Sequence, residues 1–193
     1  MWQQSLLSID LTLADLAKTC ILCRQCALRQ GCKQVVFGEG NPEARLMLVG
    51  EGPGAREDEQ GRPFVGAAGQ LLDKILVAAG FTRDEVYITN VVKCRPPGNR
   101  LPVVSEVTTC RSYLEKQIEL IKPDIIVCLG ALAAQTLIRP DLKITRERGQ
   151  WVSKNGIQLM PTYHPAALLR DENKKRPVWE DFKQVRDACR ELV

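Results

Sequence analysis

Histidine is almost absent from this chain of 193 residues, in which His164 is the only one. Any chemistry that needs an imidazole must therefore use that single side chain. Residues 1–18 lack the basic start and the continuous apolar core of a signal peptide, and no apolar run approaches the roughly 18 residues of a membrane span. These absences exclude a secretory signal and a membrane span, and we expect a cytoplasmic protein. Internal repeats and low-complexity tracts are also missing.

The overall composition is that of an ordinary globular protein. Hydrophobic residues make up 45% of the chain and charged residues 26%, which excludes a mostly disordered polypeptide. The length suits one domain with a real core, and we expect residues 1–193 to form it. The formal net charge of +4 permits a polyanionic partner without requiring one, although a dedicated nucleic-acid coat is usually more basic.

Strand and helix patterns alternate along the chain after its first quarter. Short apolar runs predict buried strands, and apolar residues at helical spacing predict helices between them. Gly80, Ser105 and Pro177 are expected to end the first helix, cap the second and begin the last, respectively. The alternation predicts an α/β sandwich on a mainly parallel sheet of about four strands. The strands are predicted at 44–51, 85–92, 123–130 and 156–164, and the helices at 67–80, 105–121, 131–138, 164–170 and about 177–192.

One edge of the predicted sheet gathers several unusual residues. In open parallel sheets, ligands bind beyond the carboxyl ends of the strands. Four separate segments reach that edge here: the turn GEGPG at 50–54, Asn90, Leu129 with Gly130, and His164. We therefore predict a ligand site at this edge that contains the single histidine.

Cysteine is the one residue type that stands out by its number, with eight in the chain. In a reducing compartment, eight cysteines indicate metal ligation or buried thiols rather than a disulfide framework. Cys20, Cys23 and Cys26 form a C-x2-C-x2-C run, and Cys94 and Cys110 form a distant pair. Together they can supply four thiolates to zinc or to an iron–sulfur cluster, and the spacing alone does not distinguish the two.

Three further motifs occur in a fixed order: GEGPGAREDEQGRPFVGAAGQLLDKIL, YITNVVKCRPPGNR and HPAALLR. With the cysteines, they resemble the family 4 uracil-DNA glycosylases, and the resemblance extends from about Cys23 to Val193. It implies a three-layer α/β/α sandwich with a four-stranded parallel sheet. It also implies a [4Fe-4S] cluster on Cys23, Cys26, Cys94 and Cys110 that ties down the N-terminal segment and takes no part in bond cleavage.

Four cysteines lie outside the implied ligand set. Cys20 is an extra thiol that we expect to compete as a ligand in a damaged or partly assembled cluster. Cys32 stands where relatives often have arginine. Cys128, in a predicted strand, and Cys189, in the last helix, are expected to pack as small buried side chains.

The resemblance implies a monomer that releases free uracil from single- or double-stranded DNA and leaves an abasic site. The nucleotide must be flipped into a pocket, because a base inside a duplex is unreachable. Asn90 is predicted to accept from uracil N3–H and donate to O4, which rejects cytosine. Phe64 is expected to stack on the base, and His164 to donate to its O2 as negative charge develops. Glu51 and Gly52 are expected to contact uracil through the backbone of their turn.

A water molecule must also reach the anomeric carbon of the sugar. Related glycosylases orient this water with an aspartate in the glycine-rich turn. In this chain, Gly52 occupies the corresponding position. Glu57 is the predicted substitute, orienting the water or stabilising the cationic sugar, with Glu51 as the second candidate. Glu57 and Asp58 also suit the first turn of a helix, where the dipole favours acids.

The segment after His164 is predicted to contact DNA. Leu168 or Leu169 is expected to wedge into the space that the flipped base leaves. Basic side chains just beyond it are expected to contact phosphates, although a solvated basic loop also explains their position. These side chains are Arg170, Lys174, Lys175 and Arg176.

Two other functions stay open at this point. One is a protein that binds or traps uracil in DNA without turnover; a relative does so through a histidine in an insertion after the second strand. KCRPPGNRLP has neither that histidine nor the insertion. The other is a zinc-stabilised nucleotide-binding module, which is disfavoured because GEGPG lacks the Lys-Ser/Thr pair of a phosphate-binding loop.

Overall fold

A computed structural model describes residues 11–192 of the chain. Residues 1–10 and 193 lie outside the described part. The prediction that residues 1–18 are not a signal peptide therefore concerns mostly residues outside the described part. The helices are α1 (Leu13–Ile21), α2 (Leu28–Gly31), α3 (Ala55–Gln60), α4 (Ala67–Ala79), α5 (Val104–Ile121), α6 (Ala131–Leu137), α7 (Ile144–Glu147), α8 (Pro165–Arg170) and α9 (Lys175–Glu191). The strands are β1 (Glu39–Gly40), β2 (Leu46–Gly50), β3 (Tyr87–Asn90), β4 (Ile125–Leu129), β5 (Val152–Lys154) and β6 (Ile157–Thr162).

The described strands form one six-stranded sheet in the order β1-β3-β2-β4-β6-β5. The four central strands are parallel and correspond to the predicted ones, whereas β1 and β5 pair antiparallel at the two edges. The prediction of four strands is therefore wrong in number, although the sheet is mainly parallel. The edge strands have two and three residues, which is too short for an alternating pattern to appear in the sequence.

Helices cover both faces of the sheet. Met47 and Val49 of β2 pack on the side of α5 and α6, whereas Leu46 and Leu48 pack on the side of α4 and α9. Every residue of β2 and of β4 is buried. Because both faces are covered, these strands read as continuous apolar runs, and their order places the carboxyl ends of β2, β3, β4 and β6 at one edge.

Two of the predicted helix starts are wrong by one or two residues. Helix α5 begins at Val104 rather than after Ser105, and the backbone N–H of Val103 donates to the Glu106 carboxylate at 2.9 Å. Helix α9 begins at Lys175, so Pro177 is its third residue. Proline is tolerated there because first-turn N–H groups have no partner within the helix. Gly80 does end α4, with a left-handed φ of 86°.

The N-terminal segment packs against α5 through a small apolar cluster of its own. Leu16, Cys20, Phe37 and Tyr113 form this cluster. The buried Asp58 carboxylate adds a polar contact by accepting from the backbone N–H of Lys33 at 2.8 Å. Within residues 11–192, no helix is both long and apolar enough to cross a lipid bilayer.

Candidate active site and cysteine site

A pocket of about 220 Å³ lies beyond the carboxyl ends of β2, β3 and β6. It is smaller than the roughly 300–1,000 Å³ of pockets that hold drug-sized ligands, and it suits a single small ring. The pocket brings together all residues predicted to contact uracil and the predicted substitute carboxylate. These are Glu51, Gly52, Glu57, Phe64, Asn90 and His164.

Asn90 presents a carboxamide to this pocket that has no partner. It is the last residue of β3, pairs with Gly50 of β2 and is 1% exposed. Within residues 11–192, neither its Oδ1 nor its Nδ2 has a hydrogen-bond partner. A buried polar atom without a partner costs about 1–3 kcal/mol, so this carboxamide is well placed to bind a ligand in the pocket. A side chain at Gly50 would collide with Asn90 Oδ1 and come within 2.5 Å of Phe64 Cζ.

Phe64 lies in the loop between α3 and α4 and has a left-handed φ of 52°. This conformation costs a residue with a side chain about 1–2 kcal/mol, and the neighbouring contacts offset that cost. Arg83 donates to the carbonyls of Pro63 and Phe64. The Oε1 atom of Glu57 accepts from the backbone N–H groups of Val65 and Gly66 at 2.9 and 2.8 Å. The aromatic ring is thereby fixed in the pocket wall.

His164 caps the N-terminus of α8, and its ring is 5.5 Å from the Phe64 ring, centroid to centroid. Its Nδ1 accepts from the backbone N–H of Ala166 at 3.1 Å. Burial and, to a smaller extent, the positive charge of Arg170 lower the pKa of His164 to about 4, with Glu57 acting in the opposite direction. The imidazole is therefore neutral near pH 7. Since Nδ1 is an acceptor, the proton is on Nε2, which is free to donate.

The two candidate carboxylates differ in their surroundings. Burial raises the pKa of Glu51, with Arg170 acting in the opposite direction. Glu57 lies in the first turn of α3, where the helix dipole favours an acid, and it also lines the pocket. Gly52 leaves no free space for an aspartate, because a Cβ atom there would lie 2.7 Å from Val92 Cγ2.

The pocket also contains residues that the sequence reasoning missed. Pro96, Asn99 and Arg100 line it from the loop after β3. The Arg100 guanidinium is held by the Glu106 carboxylate through contacts of 2.8 and 2.7 Å. The available signal was position, because this loop directly follows the strand that ends at Asn90.

The side chains predicted to contact DNA have different exposures. Leu168 is 1% exposed and packs in the core with α4 and α9, so it cannot act as a wedge, whereas Leu169 is 51% exposed. Arg170 is also exposed. Two of the predicted phosphate partners form local ion pairs, Lys174 with Asp171 at 3.0 Å and Lys175 with Glu172 at 2.5 Å.

A second, smaller cavity, called the cysteine site below, is lined by five cysteines. They are Cys20, Cys23, Cys26, Cys94 and Cys110. The backbone N–H of Lys93 donates to the Sγ of Cys110 at 3.3 Å. Thiol donors of this kind suit zinc or an iron–sulfur cluster. Within residues 11–192, no three His, Cys, Asp or Glu side chains converge closely enough to hold a single metal ion.

The three other cysteines lie outside this cavity. Cys128 is fully buried in β4, and Cys189 of α9 is partly buried against the core, as expected for packing residues. Cys32 is 8% exposed, and its thiol contacts the carbonyl oxygen of Arg29 at 3.8 Å. Cys20 is the only one of the four cysteines outside the implied ligand set that lines the cavity.

Comparison with known proteins agrees with the resemblance seen in the sequence. Residues 37–183 match the family described as the uracil DNA glycosylase superfamily. The chain is 45% identical over 187 residues to the type-4 uracil-DNA glycosylase of Sulfurisphaera tokodaii, which covers 92% of this chain and 85% of that protein. The type-4 enzyme of Archaeoglobus fulgidus is 42% identical over 188 residues, 92% of this chain and 94% of that protein. This chain therefore belongs to the uracil-DNA glycosylase superfamily and, within it, to the type-4 uracil-DNA glycosylases.

Proposed function

We propose that this protein binds a uracil nucleotide flipped out of DNA, hydrolyses its N-glycosidic bond and releases free uracil, leaving an abasic site. Its family makes it a uracil-DNA glycosylase of base excision repair, with uracil-containing DNA as substrate. The observation that carries the proposed mechanism is the buried, unpartnered carboxamide of Asn90 in the pocket.

Asn90 supplies the hydrogen bonds that distinguish uracil from cytosine. Its Oδ1 accepts from uracil N3–H, and its Nδ2 donates to O4. Cytosine presents an acceptor and a donor at the corresponding positions, so both contacts become unfavourable. Sites that must leave such groups unpaired reject the wrong ligand by factors on the order of 10⁴. The Phe64 ring in the pocket wall stacks on the base.

His164 stabilises the leaving base. As the glycosidic bond breaks, negative charge develops on uracil, and Nε2–H of a neutral imidazole donates to O2. A fixed donor in a dry site is typically worth 10²–10³-fold in rate. Because the pKa of His164 is about 4, this step needs no proton transfer to the base near neutral pH.

The carboxylates divide the remaining work. Glu57 is fixed by two backbone hydrogen bonds at the pocket wall, which suits an anion that stabilises the cationic sugar. Burial raises the pKa of Glu51, and a carboxylate with a raised pKa is a stronger base. We assign Glu51 the task of orienting the water molecule that attacks the anomeric carbon, reversing the order of preference drawn from the sequence.

Contacts to DNA are made by the end of α8 and the loop that follows it. Leu169 is the exposed apolar side chain that enters the space of the flipped base. Arg170 lies close enough to the pocket to lower the pKa values of both Glu51 and His164, and it binds a phosphate near the flipped nucleotide. Lys174 and Lys175 add weaker contacts, since each already pairs with an acid.

A [4Fe-4S] cluster is the metal group that best suits the second cavity. The thiols of Cys23, Cys26, Cys94 and Cys110 would bind it. The resemblance to the family 4 uracil-DNA glycosylases supports a cluster over zinc, and among the described residues the lining supplies five thiols and no histidine or carboxylate. When bound, the cluster links α1 and α2 to the loop after β3 and supplies no step of the hydrolysis.

The whole chain, residues 1–193, is proposed to act as a single glycosylase domain, as a monomer, in the cytoplasm. Release of one base requires only one pocket, which is compatible with a monomer. Size-exclusion chromatography with light scattering tests the monomer directly, and a dimer would contradict it.

A glycosylase assay tests the function. The wild-type protein, Asn90→Ala and a control, Asn41→Ala in the turn after β1, are incubated with oligonucleotides that contain one uracil. We expect free uracil, alkali-labile sites and repeated turnover from wild type and control, and a loss of about 100-fold or more in Asn90→Ala. A stable DNA complex without base release would indicate a trapping protein and refute the proposal.

A further inference from the structure

Lys93 is the largest fully buried side chain in the described part of the chain, with an exposure of 1%. Its ammonium group donates three hydrogen bonds of 2.6 Å each, to Thr89 Oγ1, the backbone carbonyl of Asn90 and Gln117 Oε1. An ammonium group has three N–H donors and a neutral amine has two. Three partners at this distance match the three donors of an ammonium group.

This charge is buried without a carboxylate. All three acceptors are uncharged oxygens. A buried ammonium is strongly unfavourable unless an opposite charge compensates it. Lys93 lines the same cavity as the thiols of Cys20, Cys23, Cys26, Cys94 and Cys110. Thiolates that bind a cluster in this cavity would supply the opposite charge.

The backbone of Lys93 contacts the same site. Its N–H donates to Cys110 Sγ at 3.3 Å, and the following residue is Cys94, whose thiol lines the cavity. Hydrogen bonds to sulfur and nearby charge both tune iron–sulfur centres. One residue therefore contributes a donor and a positive charge to the cysteine site.

The other end of the Lys93 side chain fixes the strand end that carries the uracil-binding amide. The ammonium binds the carbonyl of Asn90 and the hydroxyl of Thr89, the last two residues of β3. No hydrogen bond from residues 11–192 restrains the Asn90 side chain itself. Its direction therefore depends on how firmly its backbone is fixed, and the hydrogen bond from Lys93 adds to the pairing with Gly50 of β2 in fixing that backbone.

We propose that Lys93 is a positioning residue that couples the cysteine site to uracil recognition, by compensating the charge of the thiolates while fixing the backbone of Asn90. The inference rests on the proposed function and on the proposed cluster. It assigns Lys93 no contact with uracil, DNA or the reacting atoms.

Lys93→Met tests this proposal, with Lys74→Met on the exposed face of α4 as the matched control. Both are prepared as holoproteins, alone and combined with Asn90→Ala. For Lys93→Met, we expect a lower cluster reduction potential, because a nearby positive charge is lost. We also expect faster bleaching of the cluster by a chelator, and a fall of about tenfold or more in kcat for uracil. Lys74→Met should match wild type in each measurement.

The double variant separates positioning from a general structural effect. If Lys93 acts through Asn90, Lys93→Met should lower kcat far less in the Asn90→Ala background than in wild type. Equal losses in both backgrounds, or an unchanged reduction potential, would refute the coupling. Absence of uracil release from wild type would instead refute the proposed function, and the potential would still report on Lys93.

Thr89→Val provides a second variant if Lys93→Met does not fold. It removes one of the three acceptors, keeps nearly the same volume and leaves the charge in place. We expect a smaller loss of kcat that again largely disappears in the Asn90→Ala background, with an unchanged reduction potential. A loss of the same size in both backgrounds would contradict the role of the ammonium in fixing Asn90.

Discussion

The single histidine has its protonation state and its tautomer fixed by its surroundings. Burial and Arg170 keep the ring neutral, and the backbone N–H of Ala166 occupies Nδ1. An imidazolium would lose this contact, because its Nδ1 also carries a proton. The sequence located His164 beside the glycine-rich turn but left both properties open, since they depend on burial and on a helix end that only the folded chain creates.

The state of His164 is measurable without interference, because no other histidine contributes a signal. In tag-free protein labelled with ¹⁵N, we expect two-dimensional NMR to show a neutral ring with its proton on Nε2. The signal should not titrate between pH 8 and pH 5, because the pKa of His164 is about 4. A midpoint near the ordinary histidine value of about 6.5 would contradict the assignment.

The roles assigned to Glu51 and Glu57 predict that their variants differ in how kcat depends on pH. If Glu51 orients the water as an anion, kcat should rise with pH through a pKa above that of an ordinary glutamate, because burial raises the pKa of Glu51. Glu51→Gln should lose activity and this acid limb together. Glu57→Gln keeps an oxygen for Val65 and Gly66, so it should lower kcat and retain the limb.

The measurement is single-turnover uracil release from pH 4.5 to 8.5 for wild type and both variants. Thermal unfolding of each variant serves as the control for folding. Loss of the acid limb in Glu57→Gln with its retention in Glu51→Gln would exchange the two roles.

At the scale of elements, α8 places one of two adjacent leucines in the core and the other on the surface, so the two have different roles. Leu168 points into the core and Leu169 to solvent, because neighbouring residues on a helix lie about 100° apart. The sequence identified the pair but not the choice between them. A helix of six residues is too short for a periodic pattern to indicate which side is buried.

The leucine pair yields a matched prediction. Leu168→Ala should lower the free energy of unfolding by about 2–5 kcal/mol, as expected for a buried leucine. Leu169→Ala should leave stability within about 0.5 kcal/mol and slow excision from duplex DNA more than from single strands, because only the duplex has a stack to fill. Chemical denaturation and rates on both substrates check this. An equal loss of rate on both would contradict the wedge.

The elements that sequence patterns predicted are those with a long repeating signal. The central strands and α4, α5 and α6 carry continuous apolar runs or helical spacing, and they form close to the expected positions. The Phe64 loop has no such signal, because its shape depends on Arg83 and Glu57 contacting it from other elements. The same holds for Arg100, which lines the pocket and whose guanidinium is held by the Glu106 carboxylate.

At the scale of the whole molecule, the cysteine site lies between two parts that differ in how well they can fold alone: the helix-covered sheet and the N-terminal segment with α1 and α2. The sheet is covered by helices on both faces. By contrast, α1 has nine residues, too few to be stable alone in water, and it contacts α5 through a small apolar cluster. The thiols of Cys94 and Cys110 belong to the main body, and those of Cys23 and Cys26 to the N-terminal segment. A group bound by all four would therefore hold the two parts together.

Removal of the proposed cluster is expected to affect these two parts differently. In Cys110→Ser, metal binding no longer contributes to folding, so amide hydrogen exchange should become faster in α1 and α2 while β2 and β4 stay protected. Cys189→Ser is the control, because Cys189 lies outside the cysteine site and should keep its iron and its exchange pattern. Exchange followed by mass spectrometry, with iron analysis of each sample, makes the comparison. Unchanged exchange in α1 after loss of iron would show that the apolar cluster suffices, and faster exchange throughout the sheet would show that the two parts unfold as one unit.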